Sequence, residues 1–175
     1  MQTDTYLVLT VIGDDRPGLV GELSATISSH QGNWLESSMS HLAGQFAGIV
    51  RVAVPNAQAE PLKAALARLG GLKITAETSQ EQKPLSAGRR LKLALVGHDR
   101  IGIVREVSQI LAKHAVNVEE LNTHTSSAPM SAEILFHAQA ELFAGAGLDT
   151  HALKAELERL SDDLMVDITL DETIT

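Results

Sequence analysis

Apolar positions along the chain recur with two periods, and the periods alternate in a fixed order. Leu91, Leu93 and Leu95 alternate with Lys92 and Ala94, and Val166, Ile168 and Leu170 with Asp167 and Thr169. A period of 2 marks a strand with one buried face. Tyr6–Val11 is mostly apolar and reads as the counterpart of the first of these. Leu19, Leu23 and Ile27, and then Ile103, Val107, Ile110 and Leu111, fall at helical spacing, as do Leu62, Leu66 and Leu69, and Leu153, Leu157 and Leu160. Pro17 suits the first turn of a helix, where its missing N–H has no partner to lose. His30 and His114 stand where the first helix of each set should stop, a position favoured by the helix dipole when the ring is protonated. Between the helices the pattern predicts strand pairs. They are Trp34–Leu42 with Phe46–Val54 around Ala43-Gly44-Gln45, and Val118–Thr125 with Ala132–Ala138 around Ser126–Met130. Closing strands are expected at Leu72–Thr78 and Leu164–Leu170.

This order occurs twice because the sequence repeats itself. Residues 12–38 lie over residues 96–122 at an offset of 84, with ten of 27 positions identical, among them Gly13/Gly97, Asp15/Asp99, Arg16/Arg100, Gly18/Gly102, His30/His114 and Asn33/Asn117. Two copies at so long a period mean a duplicated domain rather than a solenoid. The polar run Thr78–Gly88 reads as the connection. The expected organisation is a first domain over residues 1–80, a linker over 81–88 and a second domain over 89–175. Each copy is a βαββαβ unit, the ferredoxin-like α+β pattern: a four-stranded antiparallel sheet in order 4-1-3-2 with both helices on one face. Strands 2 and 4 are then open edges, which invite pairing with another sheet, in the same chain or in a homodimer.

Composition narrows the function. The 175 residues carry a net charge of −8, with −2 in residues 1–83 and −6 in residues 84–175. Phosphate affinity needs clustered Lys and Arg, so direct DNA binding is disfavoured. RNA-recognition domains share the βαββαβ order but need exposed aromatics and a basic surface, and aromatics here are only 3%. The lack of Cys excludes disulfides, thiolate nucleophiles and Cys-ligated zinc, and makes the cytoplasm the default location. The opening MQTDTYLVLT has no basic residue and does not read as a signal peptide. No apolar stretch nears the ~18 residues of a membrane span. Histidines are scattered without a His-Glu-x-x-His spacing, so no metal site is expected, and no nucleophile, phosphate-loop or dinucleotide motif points to catalysis.

The strand-to-helix loop is the most specific feature: Gly13-Asp14-Asp15-Arg16-Pro17-Gly18-Leu19-Val20 recurs as Gly97-His98-Asp99-Arg100-Ile101-Gly102-Ile103-Val104. A helix N-terminus presents unpaired N–H groups and positive potential, which suits a small anion. Gly18 and Gly102 would let a carboxylate approach the backbone. The competing reading is that Asp15 and Asp99 cap the helix and that the glycines relieve crowding against the sheet. Arg16 and Arg100 either meet a ligand carboxylate or pair with Glu22 and Glu106. Trp34 is expected in core or interface packing.

The loop, the βαββαβ order and the Gln31-Gly32-Asn33 turn resemble the ACT domain, a regulatory module that binds amino acids. The resemblance covers nearly all of both copies, and two such domains in one short chain are similar to the glycine cleavage system transcriptional repressor family. It implies a ligand where two units pair side by side, touching the first loop of one unit and the start of strand 2 of the other. Carried onto this chain, those residues are Gly13, Asp14, Asp15, Gly18 and Asn33, with Gly97, His98, Asp99, Gly102 and Asn117. An amino-acid zwitterion needs donors and acceptors together, and an Asp beside free N–H groups and an Asn amide supplies both. The implied effector is a small amino acid, glycine first, with no other cofactor. The implied partner is a regulatory protein, a transcriptional activator of glycine cleavage genes, or alternatively an amino-acid-metabolism enzyme that the chain regulates as a free-standing subunit. Ile101 in place of Pro17, and Ala115-Val116 in place of Gln31-Gly32, depart from the pattern. Val116 tolerates a left-handed turn poorly, so the second turn is expected to differ and its site to bind weakly or not at all.

Overall fold

The computed structural model describes residues 4–79 and 87–173, and these form two compact units that divide within the intervening segment. Residues 81–86 of the expected linker lie outside the described residues, and Gly88 already opens the next strand. The first unit contains β1 (Asp4–Asp14), α1 (Leu19–Ser29), β2 (Asn33–Leu42), β3 (Gln45–Pro55), α2 (Asn56–Leu66) and β4 (Leu72–Ser79). The second contains β5 (Gly88–His98), α3 (Ile103–Lys113), β6 (Val116–Ser127), β7 (Ile134–Gly145), α4 (Thr150–Leu164) and β8 (Val166–Thr173). Both are βαββαβ.

The sheets run β2-β3-β1-β4 and β6-β7-β5-β8 with every pair antiparallel, which is the expected order, leaving β2, β4, β6 and β8 as edges. One face of each sheet is covered. In the first unit Leu7, Leu9 and Val11 of β1 and Val50, Val52 and Val54 of β3 pack with Leu23 and Ile27 of α1 and Leu62 and Leu66 of α2. In the second, Leu91, Leu93 and Leu95 meet Val107 and Leu111 of α3 and Leu153 and Leu157 of α4. The alternate residues of each strand face away from the helices. Trp34 is half-buried against the first core, and one residue bulges out of β2 between Trp34 and Glu36 and one out of β6 between Val118 and Glu120.

Several boundaries differ from those the pattern predicts. α1 begins at Leu19, so Pro17 sits in the turn ahead of it rather than in its first turn. β7 begins at Ile134 rather than Ala132 and runs on to Gly145, because the hairpin after Ser127 is wider and is closed by a 2.7 Å bond from the Ala128 N–H to the Glu133 carbonyl. Leu164 closes α4 instead of opening the last strand, since Met165 adopts a left-handed conformation (φ 51°) that stops the helix. The turns before β2 and β6 are alike, contrary to expectation. The left-handed residue is Gln31 in one (φ 58°) and Ala115 in the other (φ 54°), one position before Gly32 and Val116. Val116 is therefore unstrained and buried in the core.

Candidate functional site

The first strand of each unit delivers the loop to one end of the sheet. Gly13 and Gly97 are fixed there by packing: a Cβ on Gly13 would lie 2.1 Å from the Gly71 carbonyl oxygen, and one on Gly97 2.2 Å from Val166 Cγ1. Both are accounted for without a ligand. Gly18 and Gly102 are required differently. They are the N-cap residues of α1 and α3, at φ 92° and 99°, where L side chains are strained, and nothing crowds Gly18. The expectation that they relieve crowding against the sheet is thus corrected.

Asp15 and Asp99 do not cap the helices, since neither α1 nor α3 has a side-chain cap. Each instead continues the pairing of the first strand with the third through its backbone: the Asp15 N–H donates to the Gly44 carbonyl and the Asp99 N–H to the Ile134 carbonyl, both at 2.9 Å. The contrast with α4 is direct, because there the Asp149 carboxylate accepts from the Ala152 N–H at 3.0 Å. The first-turn N–H groups of α1 and α3, which have no partner inside a helix, face the loops without a competing side chain. Both Asp15 and Asp99 are exposed.

Arg16 and Arg100 follow the ion-pair expectation. Arg16 grips Glu22 through two bonds of 2.7 and 2.8 Å and reaches the Gly70 carbonyl at 3.4 Å, while Arg100 meets both Glu106 oxygens at 3.2 Å. The hydrogen bond to Arg16 holds the Glu22 carboxyl below its ordinary value of 4.5 and raises the arginine in turn. The hairpins bring in residues that strand patterning could not reveal. Gln45 Nε2 donates to Asp14 Oδ1 at 2.6 Å, and His41 Nε2 lies 4.0 Å from Asp15 Oδ2. In the second unit His98 Nδ1 lies 3.6 Å from Glu133 Oε2. Only the register of β1 on β3 and of β5 on β7, in which Asp14 faces Gln45 and His98 faces Leu135, would have found them.

The asparagines stand apart from the loops. Asn33 pairs with Ala53, and Ala53 with Tyr6, whereas Gly13 pairs with Phe46. Seven strand residues separate the two ends, roughly 24 Å at the rise of an antiparallel strand. Asn117, paired with Phe143 opposite Arg90, is as far from Gly97. No single unit assembles loop and asparagine into one site. Among the described residues no group of three or more His, Asp or Glu side chains is placed to hold a metal, and no helix is long and apolar enough to cross a membrane.

Two βαββαβ units, each with an open loop before an uncapped helix, define a tandem ferredoxin-like protein. The first unit belongs to the ACT domain family. A model of that domain matches residues 5–74, and the second unit repeats the first. An unknown protein from Galdieria sulphuraria is 31% identical in its crystal structure, with a TM-score of 0.88 over 98% of this chain and 100% of that one. The crystal structure of a protein provisionally assigned as a glycine cleavage system transcriptional repressor shares the fold at 18% identity, with a TM-score of 0.72 over 98% of this chain and 99% of the other. No curated protein matches the chain.

Proposed function

We propose that this protein is an amino-acid-responsive regulator that represses glycine cleavage genes through a protein partner, a transcriptional activator, rather than through DNA contacts of its own. The observation that carries the reading is the pair of uncapped helix N-termini, each behind a loop with an exposed aspartate. Such a loop offers N–H donors to a carboxylate and a carboxylate to an ammonium group, the two ends of a small amino acid. Glycine is the first candidate by the resemblance to the glycine cleavage repressor family, and its two charged ends ask for no more than such a loop offers. Within each unit the asparagine stands at the far end of the sheet from the loop, so any part that Asn33 or Asn117 takes in binding such a ligand comes from a second unit, in the same chain or in a homodimer. Binding there favours one arrangement of units and alters the surface that a partner sees. The shared fold of the provisionally assigned repressor supports the regulatory part of the reading, and the charge of −8 supports a protein partner over nucleic acid.

The test is a thermal-shift screen against the common amino acids at millimolar concentration. A ligand at ~100 times its Kd adds about 2.7 kcal/mol, so glycine is expected to raise the midpoint by several degrees. A flat response across the set overturns the sensor reading.

A further inference from the structure

The face of the second sheet that the helices leave open is laid out in rows by strand register. Glu120, Glu141, Lys92 and Asp171 stand opposite one another in turn across β6, β7, β5 and β8. Asn122, Gln139, Ala94 and Thr169 form the next row, and His124, His137, Val96 and Asp167 the one after. The first row sets two carboxylates, Glu120 and Glu141, directly across from each other, which costs a sheet stability. Neighbours offset part of that cost: Lys92 Nζ lies 3.4 Å from Glu141 Oε1, and Asn122 Nδ2 donates to Glu120 Oε1 at 2.7 Å.

The first unit solves the same positions differently. There Glu36 faces Arg51, whose guanidinium lies 4.9 Å over the Tyr6 ring. Over the three equivalent rows its charges cancel, Glu36 and Glu77 against Arg51 and Lys73. On the second face Glu120, Glu141, Asp167 and Asp171 stand against Lys92 alone, a net −3 with histidine neutral. Beside the two glutamates the small side chain of Ala94 leaves a hollow of about 340 Å³, bordered by Asn122, Gln139 and Thr169. Lys92 also borders it with its ammonium turned to Glu141, and the other polar side chains there, Glu120, Asn122, Gln139, Glu141, Thr169 and Asp171, each carry an oxygen that can accept from a cation.

We propose that this face docks a basic segment of a partner protein, with one Lys or Arg side chain entering the hollow and its head group lying between Glu120 and Glu141. Charge complementarity selects the occupant. A face at −3 repels nucleic acid and acidic peptides, and a cation between the two glutamates converts their repulsion into attraction. The proposal deepens the reading of a regulator that works through a protein. It rests on that reading for the existence of a partner and not for amino-acid binding.

The test is an NMR titration of the ¹⁵N-labelled full chain with a short peptide of alternating lysine, arginine and serine. Saturable shifts are expected in the amides of Ala94, Asn122, Gln139 and Thr169, with the first unit's Thr10, Ser38, Ile49 and Thr75 still. Glu120→Gln and Glu141→Arg should each weaken binding at least about tenfold, and Glu141→Arg, which restores the opposite-charge pair of the first unit, should keep or raise the thermal midpoint. Shifts that do not saturate, shifts shared equally by the first unit's face, or variants that bind as before overturn the proposal. So does 1,4-diaminobutane binding as tightly as the peptide, which would make the hollow a small-amine site. Both variants leave the loops intact, so their loss of peptide binding with the glycine response retained is the expected result, whereas an unaltered chain that responds to glycine but does not bind the peptide refutes the docking face alone. Peptide binding without a glycine response refutes the sensor reading alone.

Discussion

At the scale of single residues the loop glycines serve different ends, and exchanging them should separate packing from backbone conformation. An alanine at position 13 meets the Gly71 carbonyl, a backbone atom that cannot step aside. Gly13→Ala is expected to cost about 1–3 kcal/mol, as overpacked sites do. Gly18 has open space around it and a φ of 92°, so the cost there is conformational. Gly18→Asn, which tolerates the left-handed region better than most residues, should lose less than Gly18→Val in urea denaturation, and equal losses would refute the conformational account. A second residue-scale prediction concerns acid. The Glu156 carboxyl is held below 4.5 chiefly by a hydrogen bond from Lys113, with His114 Nε2 3.4 Å away, and it ties the end of α3 to α4. A carboxylate with a lowered folded value contributes stability that is complete above 4.5 and disappears as the pH falls through that folded value. Glu156→Gln should therefore flatten the acid limb of the stability curve and leave its slope at neutral pH unchanged. An unaltered acid limb would remove the carboxylate from that linkage. The pairings of Arg16 and Arg100 with Glu22 and Glu106 were legible in the sequence because six residues of a loop and first turn bring them together. The role of Asp15 was not, because whether an aspartate caps a helix or extends a strand pairing depends on where the chain turns.

At the scale of elements the alternation of apolar residues located every strand and helix, since each has one face against a core. Their ends were less legible. β7 outruns its expected end by seven residues because Ala140, Leu142 and Ala144 continue the buried face past a stretch that the pattern had closed. The Ala115 turn was misjudged because the repeat alignment names paired residues but not which of them carries the positive φ. α2 shows what holds these elements in place. It has Pro61 inside it and no side-chain cap, so local propensity does little for it. Its attachment falls to Ala59, Leu62 and Leu66, of which Leu62 is fully buried. Leu62→Ala is expected to lower stability by ~2–5 kcal/mol, measured by urea unfolding. A loss below about 1 kcal/mol would mean that the helix is held otherwise.

At the scale of the molecule the candidate site is the part that the sequence suggested and no unit completes. The repeat aligned loop with loop and asparagine with asparagine, but an alignment carries no distances, and the register puts the two at opposite ends of every sheet. The pairing that completes a site can be read from energetic coupling. If the loop of the first unit works with the strand start of the second, Asp15→Asn and Asn117→Ala remove parts of one site, and their effects on glycine affinity should fall short of additivity by about 0.5–3 kcal/mol. Asp15→Asn and Asn33→Ala would then add within about 0.5 kcal/mol. If the site instead forms between first units of two copies, the pairs exchange roles and the affinity rises with protein concentration, since dimerisation is linked to binding. Calorimetric titration of the three single and two double variants at two protein concentrations decides between these cases. Additivity in both pairs would separate the asparagines from the ligand and leave the uncapped helix N-termini as the whole of the site.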